Sequence, residues 1–162
     1  MTDPSALEGG CACGAVRYRL AGPPMFVNCC HCTSCQTETG SAFAVNALIE
    51  ADRVELLAGA PQPLLTPSES GRGQTIWRCP SCRVALWSNY PGAGPNIHFV
   101  RVGTLDRPAL CPPDAHIFTR SKLPWVHLPG DGTPAFEIFY DMAALWPADS
   151  LARRAAARGD AP

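Results

Sequence analysis

The sequence lacks the features with which proteins bind nucleic acids or enter membranes. Thirteen Lys and Arg residues against 14 Asp and Glu leave a formal net charge of −1, so no basic excess attracts nucleic acid or an anionic membrane. No apolar run reaches the roughly 20 residues that a membrane-spanning helix needs. Residues 1–10 lack the basic and apolar pattern of a signal peptide. These absences predict a cytoplasmic protein without nucleic-acid or membrane partners.

Cysteine, by contrast, is abundant, with nine residues in a chain of 162. Thiols stay reduced in the cytoplasm, so a disulfide framework is not expected there. Metal binding is the leading alternative use for so many cysteines in a chain of this length.

The composition favours a mainly β fold in a single domain. Seventeen Pro and 14 Gly imply many turns and short elements rather than long helices. Alternating or short apolar runs predict strands at 16–20, 25–28, 43–49, 75–78, 84–88, 97–102, 115–118 and 136–140. Residues 54–57 fit either a strand or a helix, and residues 59–73 predict a long loop, which is usually functional or mobile. We expect the domain at 7–147 and a surface helix or disordered tail at 148–162.

Two close cysteine pairs lie far apart in the sequence, Cys11-x-Cys13 and Cys79-x-x-Cys82. Each pair can chelate a metal through a tight turn, and Gly14 fits the positive φ that such a turn often needs. Zinc prefers four tetrahedral thiolates in structural sites. The two pairs together therefore predict a closed zinc site that links the N-terminal strand to the central hairpin.

A second cluster lies in the segment 29–35, where Cys30, Cys32 and Cys35 combine a one-residue and a two-residue gap. Three ligands on one short loop leave the fourth zinc position open, which is the arrangement of catalytic sites. Because thiolates donate much charge to the metal, such a site suits binding a thiolate substrate better than ionising water. This spacing predicts a second, catalytic zinc.

The ligand set of this second cluster is not forced by the spacing. Cys29 can replace Cys30, because two residues also separate Cys29 from Cys32, although adjacent side chains of an extended chain point opposite ways. His31 is either a fourth ligand, an exposed loop residue or a hydrogen-bond donor behind the ligands. Cys111 reads as a plain buried residue. Alternatively, one structural zinc is accompanied by free buried cysteines, or Cys29 serves a redox sensor.

Seven short motifs resemble, in order, those of the glutathione-dependent formaldehyde-activating enzyme family, which also includes centromere-protein-V-like proteins. They are CACGAVRY at 11–18, CHCTSC at 30–35, CPSC at 79–82, GTLD at 103–106, HIF at 116–118, SKLPW at 121–125 and DGTPAF at 131–136. Two departures are Arg83, where such turns usually carry glycine, and the extra thiol of Cys29.

The resemblance implies a β-tent of small antiparallel sheets stapled by two zinc ions. It implies a structural zinc on Cys11, Cys13, Cys79 and Cys82, and a catalytic zinc on Cys30, Cys32 and Cys35. The implied activity is the addition of glutathione to formaldehyde, the reverse of a carbon–sulfur lyase reaction. A non-catalytic zinc-stapled binding module, or a zinc enzyme acting on another small molecule, is the alternative.

The implied chemistry needs further side chains. A substrate thiol loses its proton at the open zinc position and attacks the aldehyde, and His116 is the candidate donor to the developing alkoxide, with a purely structural histidine as the alternative. Cationic partners for the carboxylates of glutathione, and aromatic walls for the site, are sought among the remaining residues. The candidates are Arg78, Arg101, Arg120, Lys122, Trp77, Trp87 and Trp125. The oligomeric state is left open.

Overall fold

The computed structural model describes residues 7–160, and its fold is mainly β, as predicted. The strands are β1 (Leu7–Gly10), β2 (Arg17–Leu20), β3 (Phe26–Cys30), β4 (Ala44–Glu50), β5 (Val54–Ala58), β6 (Gln62–Thr66), β7 (Gln74–Arg78), β8 (Ala85–Asn89), β9 (Ile97–Arg101) and β10 (Ala115–Ile117). The α-helices are α1 (Thr33–Thr39), α2 (Met142–Leu145) and α3 (Ala148–Arg158). Short 3-10 helices occupy Ala51–Arg53, Val102–Thr104, Pro108–Leu110 and Thr119–Ser121. No helix within 7–160 has the length and apolar character needed to cross a membrane.

The strands form two sheets. The smaller has the order β1-β2-β5 and is antiparallel throughout. The larger has seven strands in the order β10-β3-β4-β9-β8-β7-β6. It is larger than the small sheets that the resemblance implies, and β10 runs parallel to β3 whereas the other pairs are antiparallel. The two parallel strands are far apart in the sequence, which provides the long connection that a parallel pair requires.

Two apolar cores lie on the two faces of the larger sheet. The first core combines the predicted inward face of β2, including Tyr18 and Leu20, with Ala47, Ile49 and Val100 of the larger sheet. The second core lies on the opposite face and is covered by the C-terminal segment. There the ring of Trp146 stacks on Phe26 at a centroid distance of 5.1 Å. Because side chains alternate along a strand, consecutive residues of β3 and β4 enter different cores.

Three segments differ from the sequence expectations or decide between them. Residues 54–57 lie in a strand, β5. The predicted loop at 59–73 contains β6, which pairs with β7. Its apolar side chains Leu64 and Leu65 are adjacent and both exposed, so the sequence of β6 shows no alternation of buried and exposed residues. The predicted strand at 136–140 is wrong. This segment is irregular and follows β10 through single hydrogen bonds, such as Phe118 N–H to the carbonyl of Ile138 at 2.7 Å.

The C-terminal segment folds as a helix through residue 158 rather than as a disordered tail. The hydroxyl of Ser150 donates to the carbonyl of Met25 at 2.7 Å, and the guanidinium of Arg153 makes two hydrogen bonds to the carboxylate of Glu50 at 2.7 and 2.6 Å. Residues 161–162 of the predicted tail lie outside the described residues. Helix α3 therefore packs on the larger sheet, while the proposed domain boundary at 147 stays a prediction.

Candidate metal centres and the adjoining cavity

The four cysteines of the two distant pairs meet in the structure. Cys11 and Cys13 lie in the turn between β1 and β2, and Cys79 and Cys82 lie in the turn between β7 and β8. All four Sγ atoms are within 4.8 Å of one another. The Sγ atoms of Cys11 and Cys13 are 3.5 Å apart, and those of Cys13 and Cys79 are 3.8 Å apart. We call this group the four-thiol cluster, and it joins the two sheets.

Backbone N–H groups prepare the four-thiol cluster for negative charge. The N–H of Val16 donates to Sγ of Cys11 at 3.3 Å, and the N–H of Ser81 donates to Sγ of Cys79 at 3.4 Å. Burial opposes ionisation of Cys11, but the Val16 hydrogen bond and the neighbouring thiols outweigh it and lower the pKa of Cys11 to about 6. Four thiolates at these distances repel one another unless a cation lies among them. The donor set and its closeness fit a tetrahedral zinc ion.

The two turns of the four-thiol cluster share a backbone pattern with different residues. Cys11 N–H donates to the Val16 carbonyl and Cys79 N–H to the Val84 carbonyl, both at 3.0 Å. Gly14 has φ +76° in the first turn, and Arg83 has φ +64° in the second. Only glycine adopts this left-handed region without steric cost.

We therefore expect Arg83→Gly to raise the free energy of unfolding by about 1 kcal/mol and Gly14→Ala to lower it by about 1 kcal/mol. A Cβ built at Gly14 has no atom within 4 Å, so the alanine effect is purely conformational. Urea denaturation of the two metal-loaded variants measures both changes. Shifts of the same sign in the two variants would contradict this explanation of the turns.

The second group of thiols surrounds the start of α1. Cys30 ends β3, Cys32 is the N-cap of α1, and Cys35 lies in its first turn. Their Sγ atoms are within 4.8 Å of one another, all three residues are buried, and Sγ of Cys32 accepts the N–H of Cys35 at 3.3 Å. The segment is thus a strand end and a helix start rather than the expected loop. We call this group the three-thiol cluster.

The three-thiol cluster gives up its first proton easily and the others with difficulty. Hydrogen bonds with Cys30 and then Cys35 lower the pKa of Cys32 to about 3. The hydrogen bond between Cys30 and Cys32 is the largest of the effects that raise the pKa of Cys30. For Cys35, the hydrogen bond with Cys30 and the charge of Arg101 favour the thiolate. The interaction with Cys32 and burial outweigh them and raise the pKa of Cys35 to about 12. Three thiolates therefore need a cation, and a soft divalent metal matches this donor set.

A buried arginine lies close enough to the three-thiol cluster to act on its charge. Arg101 is 7% exposed, and its guanidinium donates to Oδ1 of Asn46 and to Oγ of Ser88, the latter at 3.0 Å. Within residues 7–160 it forms no salt bridge with a carboxylate. Burying an uncompensated cation is costly. Three thiolates around a divalent ion carry a net charge of −1, and this charge would compensate Arg101.

The three thiols line a cavity of ≈ 420 Å³. Its other walls are mostly apolar or aromatic, with polar groups from the segment 68–74 and from α3. They include Leu48, Tyr90, Ile97, Phe99, Ile117, Phe118, Phe139 and Met142, with Ser68, Glu69, Ser70, Arg72, Gln74 and Arg154. A concave apolar site with a few polar groups is typical of small-molecule binding. The cavity thus gives a small ligand access to the three thiols.

Two cations of the cavity wall were not anticipated from the sequence. Arg72 comes from the segment between β6 and β7, and Arg154 comes from α3. Neither takes part in the salt bridges found within residues 7–160. The only sequence signals were a long loop, which favours function, and a basic C-terminal segment.

The cations and tryptophans proposed from the sequence do not line this cavity. Arg78 pairs with Glu38, Arg120 pairs with Glu69 at 3.5 Å, and Nζ of Lys122 donates to the carbonyls of Leu123 and Val126. Arg101 binds Asn46 and Ser88, as above. Trp87 is buried against Tyr18, Trp77 donates to Asn89, and Trp125 is 67% exposed. The aromatic walls are Tyr90, Phe99, Phe118 and Phe139 instead.

The two histidines proposed from the sequence lie together, away from the cavity. Nε2 of His31 is 3.0 Å from Nδ1 of His116 and 3.6 Å from Sγ of Cys29. None of the three lines the cavity, whereas their neighbours Cys30 and Ile117 do. His31 is therefore not grouped with the three-thiol cluster, and Cys29 does not take the place of Cys30. The donor role of His116 stays a prediction, and its position gives that role no support.

The pKa values of these two histidines lie below the ordinary value, and Cys111 lies outside the metal-ligating groups of the described residues. Burial, followed by the charge of His116 and Lys122, lowers the pKa of His31 to about 4, and burial also lowers the pKa of His116. Cys111 is buried in the first core and belongs to none of the metal-ligating groups of the described residues, as expected.

Comparison with known proteins assigns the chain to a family. The family profile described as glutathione-dependent formaldehyde-activating enzyme matches residues 6–121. A Halomonas elongata protein whose name carries the same description is 31% identical over 129 residues, which are 75% of this chain and 80% of that protein. A crystal structure of a Rhodobacter sphaeroides protein aligns with 80% of this chain and 98% of its own, at 18% identity and a TM-score of 0.46. The profile match and the Halomonas relative agree with the motifs, and the chain belongs to the glutathione-dependent formaldehyde-activating enzyme family.

Proposed function

We propose that this protein adds a carboxylate-bearing thiol of the glutathione class to formaldehyde and that it uses zinc. The observation that carries the proposal is the opening of the three-thiol cluster onto a cavity whose wall holds Arg72 and Arg154. The reverse reaction is that of a carbon–sulfur lyase. The nine cysteines, which are free thiols, are consistent with a reducing compartment, and we place the protein in the cytoplasm.

Two zinc ions fit the two thiol clusters. The four-thiol cluster completes a tetrahedron and has no open position, which suits a structural role. The three-thiol cluster supplies three ligands, so a fourth position remains for a ligand from the cavity. Zinc bound there would supply a Lewis-acidic position at which a substrate thiol becomes a thiolate at neutral pH.

The reaction needs no reagent beyond its two substrates. The sulfur of the thiol adds to the carbonyl carbon of formaldehyde and a carbon–sulfur bond forms. The carbonyl π electrons move to oxygen, and the proton lost from sulfur is balanced by one gained at this oxygen. The contribution of the protein is to hold both substrates together in a mostly apolar cavity and to supply donors where charge develops.

Tyr90 is the side chain that we propose as the donor to the developing alkoxide. It lines the cavity, and its ring is held edge-on against Phe99 at a centroid distance of 4.7 Å. Burial raises the pKa of Tyr90, and the thiols of the three-thiol cluster raise it further against the opposing charge of Arg101, so the hydroxyl keeps its proton. A protonated hydroxyl close to the three-thiol cluster can donate a hydrogen bond to an alkoxide formed there.

The carboxylates of the thiol are proposed to bind the two free guanidinium groups. A charge-assisted hydrogen bond of this kind contributes about 1.5–3 kcal/mol. We therefore expect Arg154→Ala to raise KM for glutathione about tenfold or more and to leave KM for 2-mercaptoethanol, which has no carboxylate, unchanged. Exchange NMR spectroscopy of mixtures of thiol and formaldehyde, corrected for the uncatalysed reaction, gives KM for each of the two thiols.

Arg19→Ala is the matched control, because Arg19 pairs with Glu8 on the smaller sheet, away from the cavity. If Arg154→Ala and Arg19→Ala both accelerate exchange over the uncatalysed reaction and have the same KM for glutathione, carboxylate recognition by Arg154 is contradicted. If the wild type accelerates exchange with neither thiol, the proposed activity is wrong, and another small-molecule substrate or a binding role applies.

A further inference from the structure

The run Cys29-Cys30-His31-Cys32 sends alternate side chains to opposite sides of the larger sheet. Cys30 and Cys32 line the cavity, whereas Cys29 and His31 do not and instead meet His116 of β10. These three residues are at most 7% exposed, and the proposed reaction assigns them no task. We call them the Cys-His-His cluster.

Within the Cys-His-His cluster the nitrogen–sulfur distance matches that between ligands of one zinc ion, and the nitrogen–nitrogen distance is about 0.3 Å shorter. Tetrahedral zinc with nitrogen at about 2.0–2.1 Å and sulfur at about 2.3 Å places two nitrogens about 3.3 Å apart and a nitrogen and a sulfur about 3.6 Å apart. Here Nε2 of His31 lies 3.0 Å from Nδ1 of His116 and 3.6 Å from Sγ of Cys29. All three ligand atoms are within 4.8 Å of one another.

A hydrogen bond between the two imidazoles leaves the approach of the Cys29 sulfur to the same nitrogen unexplained. A neutral imidazole nitrogen carries either one proton or one lone pair, so it serves one strong partner. The sulfur of Cys29 and the nitrogen of His116 both approach the same atom, Nε2 of His31. A cation between the three atoms would satisfy all of them at once. Nδ1 of His31 is buried without a partner, so this ring has no second hydrogen bond that would explain its orientation.

Backbone pairing fixes the cluster in place. His116 and Cys29 are opposite one another in the parallel register of β10 and β3, and the N–H of His31 donates to the carbonyl of Ile117 at 2.9 Å. The ring of Phe43 meets the His31 ring edge-on at 5.3 Å. The three ligand atoms are therefore preorganised rather than brought together by flexible side chains.

We propose that Cys29, His31 and His116 bind a third zinc ion that ties β10 to β3. The described residues add no fourth His, Cys, Asp or Glu to this cluster, so a small exogenous ligand completes the tetrahedron. Because the cluster is buried and does not line the cavity, the ion has a structural role. It would hold Ile117 and Phe118, which do line the cavity, in position.

Zinc per chain, measured by plasma mass spectrometry after zinc saturation and removal of loosely bound metal, tests the proposal. We expect three zinc ions per chain in the wild type and in Cys111→Ser, which changes a buried thiol outside the clusters. We expect two in Cys29→Ser and two in His116→Gln. Cluster variants that bind as many zinc ions as the wild type would overturn it. The count does not depend on activity, so it stands apart from the proposed reaction.

A second measurement needs no variant and decides the matter if the variants fail to fold. The chain has four histidines, and ¹⁵N imidazole spectra of the wild type report on each. Zinc added beyond the two thiol clusters should shift the signals of His31 and His116 and leave those of His98 and His127 in place. If no imidazole signal responds to zinc, His31 and His116 share only a hydrogen bond and the third site does not exist.

Discussion

Cys32→Ser is expected to bind one zinc ion fewer than the wild type and to lose turnover at least about a hundredfold while it stays folded, whereas Cys13→Ser is expected to fail to fold. The two substitutions each remove one thiolate. They differ in what the metal connects. Zinc content per chain, circular dichroism and the exchange rate of glutathione with formaldehyde separate the two outcomes.

The difference follows from the positions of the two clusters. The four-thiol cluster joins the turn before β2 to the turn before β8, and so connects the two sheets. A structural zinc site contributes about 10–16 kcal/mol, which is comparable to the whole stability of a domain. The three-thiol cluster spans only Cys30 to Cys35, so the proposed metal there would close a short local segment. Loss of that metal would disable the proposed reaction site and leave the sheets connected.

Cys13 is a favourable position for this experiment because its side chain is exposed, so serine there costs no packing. Loss of the fold in Cys13→Ser therefore reports on the metal. Cys111→Ser serves as the control for replacing a buried thiol that belongs to no cluster. Equal collapse of the Cys13 and Cys32 variants, or full stability of both, would contradict the division into a structural and a catalytic site.

Tyr90→Phe is expected to lower kcat about tenfold and to leave KM for glutathione nearly unchanged. A hydrogen bond made only to the developing alkoxide affects the transition state more than the bound thiol. The effect is smaller than for a typical oxyanion donor because formaldehyde and thiols already combine without a catalyst. Steady-state exchange NMR at several glutathione concentrations gives both constants.

Tyr18→Phe is the matched control for removal of a buried tyrosine hydroxyl. The hydroxyl of Tyr18 contacts Oγ1 of Thr104 at 2.7 Å in the first core, away from the cavity. This variant is expected to lose stability and keep its kcat. A tenfold rise of KM in Tyr90→Phe, with kcat retained, would show that Tyr90 binds the thiol and is not the donor.

Local spacing predicted the thiol clusters well because each part of a cluster lies within one turn. A gap of one or two residues brings two thiols together whatever the rest of the fold does, so Cys11-x-Cys13 and Cys79-x-x-Cys82 were recognisable. The choice between Cys29 and Cys30 stayed open because it depends on which face of β3 points to the cavity. That is decided by the packing of the whole sheet.

The residues that complete the cavity have no comparable local pattern. Arg72, Tyr90 and Arg154 come from two loops and the C-terminal helix, and only tertiary packing places them around the thiols. Helix α1 was missed because its residues, TSCQTET, include a single buried side chain, Cys35, and so show no apolar periodicity. Sγ of Cys32 caps the start of this helix. The spacing of the cysteines predicted only a metal ligand at Cys32 and not a helix cap.

The mainly β class and most strands followed from alternation, since β2 and β4 have one face in the core between the sheets. Strand β6 escaped because it lies at the edge of the larger sheet with exposed apolar residues. The segment 136–140 has the right residues for a strand, but it contacts β10 only through scattered hydrogen bonds. Ile138 and Phe139 of that segment are 51% and 46% exposed, so the hydrophobic run there marked neither a strand nor a fully buried segment.

The Cys-Cys-His-Cys run makes the two faces of β3 chemically alike, and this has a consequence for folding. If β3 paired one residue out of step with β4, Cys29 and His31 would face the cavity and Cys30 and Cys32 would turn away from it. The ligands alone would tolerate this error, because both arrangements offer metal donors. Discrimination comes from upstream residues: Phe26 stacks on Trp146, and Asn28 accepts the hydroxyl of Tyr140 at 2.9 Å. These two contacts therefore favour the register in which Cys30 lines the cavity and Cys29 does not.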